Sequence, residues 1–172
     1  MLQATQYSAV ELLPDGRRVE IRALKPGDEA EFVAAVDRVS AQSLYRRFFG
    51  VKRSFSDAEK AFFLNVDFVN HVALVAVVEN GKRALIVGGG RYVVVQPGTA
   101  EVAFVVTDEF QGQGIGTRLM RHLVALARAA GLKTLIAEVL PENAAMLKVF
   151  ENSGLGLSTR RDGGVVHVAM QI

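Results

Sequence analysis

Six residues, Gln111, Gly112, Gln113, Gly114, Ile115 and Gly116, set three glycines at alternate positions between a β-rich run (Val102, Phe104, Val105, Val106) and an amphipathic helical run. Alternating glycine removes the Cβ atoms that hold a ligand away from the backbone. The helix start that follows adds N–H groups without intrahelical partners and a partial positive charge. Such a turn can cradle a phosphate or diphosphate. A P-loop needs Gly-Lys-Ser/Thr, which occurs nowhere in the 172 residues. A dinucleotide fingerprint needs a third glycine where Thr117 stands, and a place after the first strand rather than late in the chain. The plain alternative is a glycine-rich helix cap without a ligand, which leaves three destabilising glycines unexplained.

The stretch matches Q/R-x-x-G-x-G/A, and with it the chain resembles the GNAT superfamily of acyl-CoA-dependent N-acyltransferases. In that family the motif lies between the fourth strand and the third helix. The resemblance implies that Gln111, Gly112, Gln113, Gly114, Ile115, Gly116 and Thr117 hold the pyrophosphate of acetyl-CoA as co-substrate. It also implies that the backbone of Phe104, Val105 and Val106 pairs with the pantetheine arm, while the side chains of Val102, Phe104 and Val106 fill the core. Free donors there would hold the thioester carbonyl and its developing oxyanion. Pro141-Glu142-Asn143, followed by Phe150 and Gly154-Leu155, resembles the second motif of the family. Asn143 then falls at the pantetheine, and it is equally suited to cap the following helix. Phe150 departs from the tyrosine that commonly serves there as general acid, and phenylalanine has no proton to give. Tyr45 and Tyr92 are the other non-terminal tyrosines, and nothing in the sequence brings either to the sulfur. Water can protonate the leaving thiolate, since a thiol pKa near ~8.5 makes it a tolerable leaving group.

An amine acceptor needs a base. An ammonium of pKa about 10.4 costs roughly 4–5 kcal/mol to deprotonate at pH 7. Glu101, at the start of the strand that carries the acyl group, is the best placed carboxylate to take that proton directly or through water. Strand parity puts it on the side of Ala103 and Val105, opposite Val102 and Phe104; its plain alternative is a solvent-facing strand carboxylate. Asp108 and Glu109 are weaker candidates, because beside a pyrophosphate they would repel it unless turned outward. His71 and His167 are expected to be structural or surface residues and His122 falls on the helix, so no metal cluster is expected among them.

The acceptor is less legible. Ser40-x-x-Ser43-Leu44-Tyr45-x-Arg47-Phe48-Phe49, with Glu101-Val102-Ala103-Phe104, resembles the bacterial Pat-type protein lysine acetyltransferases, whose catalytic glutamate matches Glu101. That resemblance implies acetyl transfer to a lysine on a protein such as an acyl-CoA synthetase. A small-amine N-acetyltransferase of the same fold and a non-catalytic acyl-CoA sensor remain alternatives. Acyl-chain preference, oligomeric state (a homodimer included) and any regulatory ligand are not encoded in these motifs.

The elements that must position these residues follow from periodicity. Residues 1–14 read as a loosely held arm, and 15–172 as a single domain. Pro14-Asp15-Gly16 is a turn signal, and residues 17–24 alternate as a strand. Lys25-Pro26-Gly27-Asp28 starts a helix, Ser40 a second, and Ser56-Asp57-Ala58-Glu59 is a capping box opening a third. Three strands follow, at 71–79, 84–95 and 100–106, joined by Asn80-Gly81 and Gln96-Pro97-Gly98 as an antiparallel meander. Gly88-Gly89-Gly90 marks a bulge or a close backbone approach. After the long helix come a strand at 133–140, a helix at 143–153 and two closing strands. The order predicts an α+β fold: a mixed, mostly antiparallel central sheet with helices on both faces, as in the GNAT arrangement.

Composition agrees. Half the residues are hydrophobic and 22% charged, with a formal net charge of +2, too small and scattered an excess for nucleic acid. Cysteine is absent, which excludes a thiol nucleophile and suits a reducing cytoplasm. No signal peptide is read at the start, and no apolar run reaches the ~20 residues of a membrane span.

Overall fold

The computed structural model describes residues 3–39 and 56–172. The helical stretch expected from Ser40, with Tyr45 and the Arg47-Phe48-Phe49 segment, lies outside the described residues.

Within them, eight strands form one sheet in the order β1-β2-β3-β4-β5-β6-β8-β7. The strands are β1 (Ser8–Leu12), β2 (Arg18–Ala23), β3 (His71–Asn80), β4 (Arg83–Gln96), β5 (Thr99–Val106), β6 (Thr134–Val139), β7 (Gly156–Asp162) and β8 (Val165–Gln171). All neighbours run antiparallel except β5 and β6, which are joined by helix α3 (Ile115–Ala129) as a parallel crossover. Helices α1 (Glu29–Asp37) and α2 (Asp57–Leu64) precede the meander, and α4 (Ala144–Glu151) follows β6. Among the described residues no helix is long and apolar enough to cross a membrane.

Alternation assigns the faces. Val72, Leu74, Ala76 and Val78 of β3 join Val102 and Phe104 of β5 in the larger core, against Ile115, Leu119, Leu123 and Ala127 of α3 and Phe150 of α4. Ala73, Val75 and Val77 turn to the other face, with Leu24, Ile86, Ala35 and Phe32. Residues 71–78 are therefore buried on both faces, which explains their nearly unbroken apolar run. The α2 start is the expected capping box, in which the Ser56 hydroxyl accepts from Glu59 N–H and the Glu59 carboxylate accepts from Ser56 N–H, each at 3.1 Å.

One expectation changes, and the alternative left open at Gly88-Gly89-Gly90 is decided. Residues 8–12 are not a loose arm: they pair with β2 from Ser8↔Arg22 to Leu12↔Arg18, and Glu11 is tied to α3 by Arg121 and His122. β2 is the next strand in the chain, but the α3 residues that anchor Glu11 lie more than a hundred residues away and leave no mark on the local sequence. The β4 bulge falls at Val87, because Ala76 faces Gly88 while Val77 faces Ile86. The neighbouring glycines serve close approach instead. A Cβ at Gly90 would stand 2.7 Å from the Phe104 ring, and one at Gly88 would stand 3.1 Å from Ile115 Cγ2.

Candidate active site

β5 and β6 stay paired only through Thr99↔Thr134, Ala100↔Leu135 and Glu101↔Ile136, although β5 runs on to Val106 and β6 to Val139. Past that point they diverge, and a cleft of about 650 Å³ opens between them. Splaying leaves β5 peptide groups without a strand partner. Thr107 N–H bonds the Val87 carbonyl at 2.9 Å on the β4 side, while the Gln111 side-chain amide donates to the Val106 carbonyl at 3.0 Å on the other. Peptide groups alternate along a strand. Those of Phe104 therefore face the cleft and those of Val105 face β4, consistent with a Gly88 Cβ lying 3.2 Å from the Val105 carbonyl.

The floor of the cleft is the turn into α3. Gly112 and Gly114 have φ of 77° and 81°, the left-handed region that glycine adopts without strain. Gly114 is the N-cap, and the first helical bond runs from Arg118 N–H to the Gly114 carbonyl at 3.1 Å. The N–H groups of Ile115, Gly116 and Thr117 are then the orphan donors of the first turn, in the wall of the cleft. At Gly116 a Cβ would meet Val149 at 3.4 Å, so this glycine also lets α4 close against α3.

Of the sequence-derived candidates, Glu101, Phe104, Val105, Val106, Gln111, Gly112, Gly114, Ile115, Gly116, Thr117, Asn143 and Phe150 line this one cleft. Gln113 does not; its side chain meets Arg17 at 3.4 Å and its carbonyl meets Arg118 at 3.3 Å. Asn143 is an N-cap, its Oδ1 accepting from Met146 N–H at 3.3 Å, and it reaches the cleft as well. Phe150 is buried, with its ring 6.1 Å from that of Phe104. Tyr92 is buried in the α3-side core and is no part of the cleft wall.

Glu101 is exposed at the last paired rung before the splay, on the face of Ala103 and Val105. Asp108 and Glu109 are exposed and do not line the cleft. Glu138, on β6, is a cleft carboxylate that sequence reasoning passed over; it lies 3.6 Å from His167. Its outward parity in the alternating Thr134–Val139 segment was the available signal.

The histidines are accounted for by packing. His71 is 8% exposed, under the Phe62 ring at 4.9 Å, and Arg91 Nη1 donates to its Nε2 at 2.7 Å. Burial, and then the Arg91 guanidinium, push its pKa from 6.5 down to about 4, against the pull of Asp67. His122 bridges Tyr7 and Glu11 at 2.5 Å each. Among the described residues no group of His, Asp and Glu could hold a metal ion.

Comparison with known proteins agrees with this geometry. Residues 38–155 match the model of the Acetyltransferase (GNAT) family. Acetyltransferase Pat of Mycolicibacterium smegmatis is 32% identical over 154 residues, 88% of this chain and 45% of that protein, so the chain spans under half the length of that relative. Acetyltransferase PA5475 of Pseudomonas aeruginosa is 33% identical over 138 residues, 80% of this chain and 74% of that protein. The crystal structure of the GNAT domain of S. lividans PAT superposes with a TM-score of 0.87 at 32% identity, covering 96% of this chain and 97% of that domain.

Proposed function

The chain belongs to the Acetyltransferase (GNAT) family, and from that premise we propose that it transfers the acetyl group of acetyl-CoA to the side-chain amine of a protein lysine, by direct attack in a ternary complex. One cleft carries this reading: it runs from the orphan N–H groups of the α3 start, past the cleft-facing peptide groups of Phe104, to the carboxylate of Glu101. Diphosphate, pantetheine arm and acyl carbon take those three stations in that order. The resemblance to acetyltransferase Pat, 32% identical over 88% of this chain, supports the lysine acceptor, whereas two L-methionine sulfoximine/L-methionine sulfone acetyltransferases at 34% identity match only 36% of it.

Glu101 takes a proton from the incoming ammonium, directly or through one water. The freed nitrogen attacks the thioester carbonyl to form the C–N bond and a tetrahedral oxyanion; the nitrogen then gives up its second proton to solvent as the oxyanion collapses and the C–S bond breaks. Cleft-facing amides of β5 hold the oxyanion meanwhile. The departing thiolate takes its proton from solvent, because Phe150 has none to offer.

Calorimetry with acetyl-CoA and a thiol-release assay against panels of lysine-bearing proteins and of free amines test the proposal. Heat on titration, with release that depends on a protein acceptor, is the expected outcome. Absence of heat overturns the donor, and release with free amines alone overturns the acceptor.

A further inference from the structure

The turn at the floor of the cleft is gripped from its other side by the N-terminal hairpin. Arg118 Nη1 donates to the carbonyls of Gln113 at 3.3 Å and Gly114 at 3.1 Å, and its Nη2 donates to the Leu12 carbonyl at the end of β1 at 2.8 Å. Its Nε, buried without a hydrogen bond, faces Glu11 at 3.7 Å. Glu11 is also held by Arg121 and His122, and His122 by Tyr7. On the next turn Arg17, anchored by Asp15 at 2.7 Å, lies over the Phe110 ring at 4.7 Å and reaches Gln113 Oε1 at 3.4 Å.

We propose that this hairpin is a brace for the diphosphate turn, with Arg118 as its positioning residue and Arg17 as a second point of support. The inference rests on the reading of that turn as a diphosphate site. In a trans peptide the carbonyl and the following N–H point in opposite directions. A Gln113 or Gly114 carbonyl tied to Arg118 therefore aims the N–H of Gly114 or Ile115 away from the guanidinium. Gly114 and Ile115 line the cleft, whereas Gln113 does not. Two left-handed glycines give the turn many alternative conformations. An external tie selects one of them and removes the ordering cost that a bound diphosphate would otherwise meet. It also explains why an edge strand with exposed Val10 and Leu12 is kept against α3 by charged contacts rather than by apolar packing.

The test compares two acetyl donors on the full chain: acetyl-CoA, and S-acetyl-pantetheine, which lacks the diphosphate. Arg118→Ala is expected to raise KM for acetyl-CoA about tenfold or more at little change in kcat, as loss of charged hydrogen bonds of ~1.5–3 kcal/mol implies. Its kcat/KM for S-acetyl-pantetheine stays within about twofold of wild type, because the diphosphate term is absent. Arg118→Lys does not rescue, since one ammonium cannot span three carbonyls in the fork geometry of a guanidinium. Arg17→Ala, at an exposed side chain, shifts KM for acetyl-CoA in the same direction by less. Equal losses on both donors, full rescue by lysine, or wild-type KM in both alanine variants overturns the brace. Should Arg118→Ala fail to fold, the donor split in Arg17→Ala decides. Wild type that binds no acetyl-CoA sinks the diphosphate reading itself, whereas wild-type binding with indifferent variants sinks the brace alone.

Discussion

Two carboxylates, Glu101 and Glu138, share the cleft, and position distinguishes them. Glu101 stands on the last paired rung of the splayed strands, where the acyl carbon would be held. Glu138 lies two residues past Ile136 on the opposite wall, beside His167. Glu101→Gln is expected to lower turnover at least ~10²-fold with CoA affinity kept, whereas Glu138→Gln leaves kcat within a few-fold; steady-state kinetics with calorimetry check both. Equal effects would remove Glu101 from the role of base. His71 gives a stability prediction. The guanidinium of Arg91 can only donate, so His71 Nε2 accepts and the ring is neutral in the fold. Unfolded, the ring takes a proton near 6.5; folded, only near about 4. Acid therefore favours the unfolded chain between those values, with stability complete above 6.5 and falling by up to about 1.4 kcal/mol per pH unit toward 4. Thermal unfolding from pH 7 to 4 is expected to show this slope, flattened in His71→Gln.

At the scale of elements, β4 lies against β5 and α3 without intervening side chains at Gly88 and Gly90. Gly90→Ala drives a Cβ into the ring of Phe104, whose backbone faces the cleft. Overpacking of this kind costs about 1–3 kcal/mol. The expected result is a lower melting temperature together with weaker CoA binding. A variant that loses stability but binds as well as wild type would show that the strand tolerates the shift. The short α4 is started by Asn143, and Asn143→Ala removes that cap at a cost of about 1 kcal/mol. CoA affinity distinguishes its two roles: a loss beyond the stability change assigns Asn143 to the cofactor as well. Elements whose partners lie nearby in sequence were legible. The β3–β4–β5 meander came within a residue or two of its bounds, through Asn80-Gly81 and Gln96-Pro97-Gly98, and the α2 capping box fell where Ser56 and Glu59 placed it. β1 was not legible: five residues with two exposed apolar side chains carry little periodic signal, and their anchors on α3 lie more than a hundred residues away.

For the whole molecule, the proposed cofactor site joins the only parallel pair among the described strands to the helix that connects it, so binding should tighten the sheet and both α3 and α4 together. Acetyl-CoA at 100 times its Kd is expected to stabilise the fold by about 2.7 kcal/mol, read as a rise in melting temperature that follows ligand concentration. A melting temperature indifferent to acetyl-CoA would contradict a site built into the core. What the sequence by itself determined was everything local: the alternating glycines, the parity that sets Glu101 opposite Val102 and Phe104, the phenylalanine at position 150, and the family they point to. These follow from φ preferences, side-chain alternation and proton inventory, which need no partner elsewhere in the chain. Only the tertiary structure decided that β5 and β6 part after Glu101, that Phe104 rather than Val105 turns its peptide groups to the gap, that Glu138 shares the cleft, and that Arg17 and Arg118 hold the turn. Each of these depends on where strands stop pairing and which distant residues meet, and that is set by packing of the whole core rather than by any stretch of it.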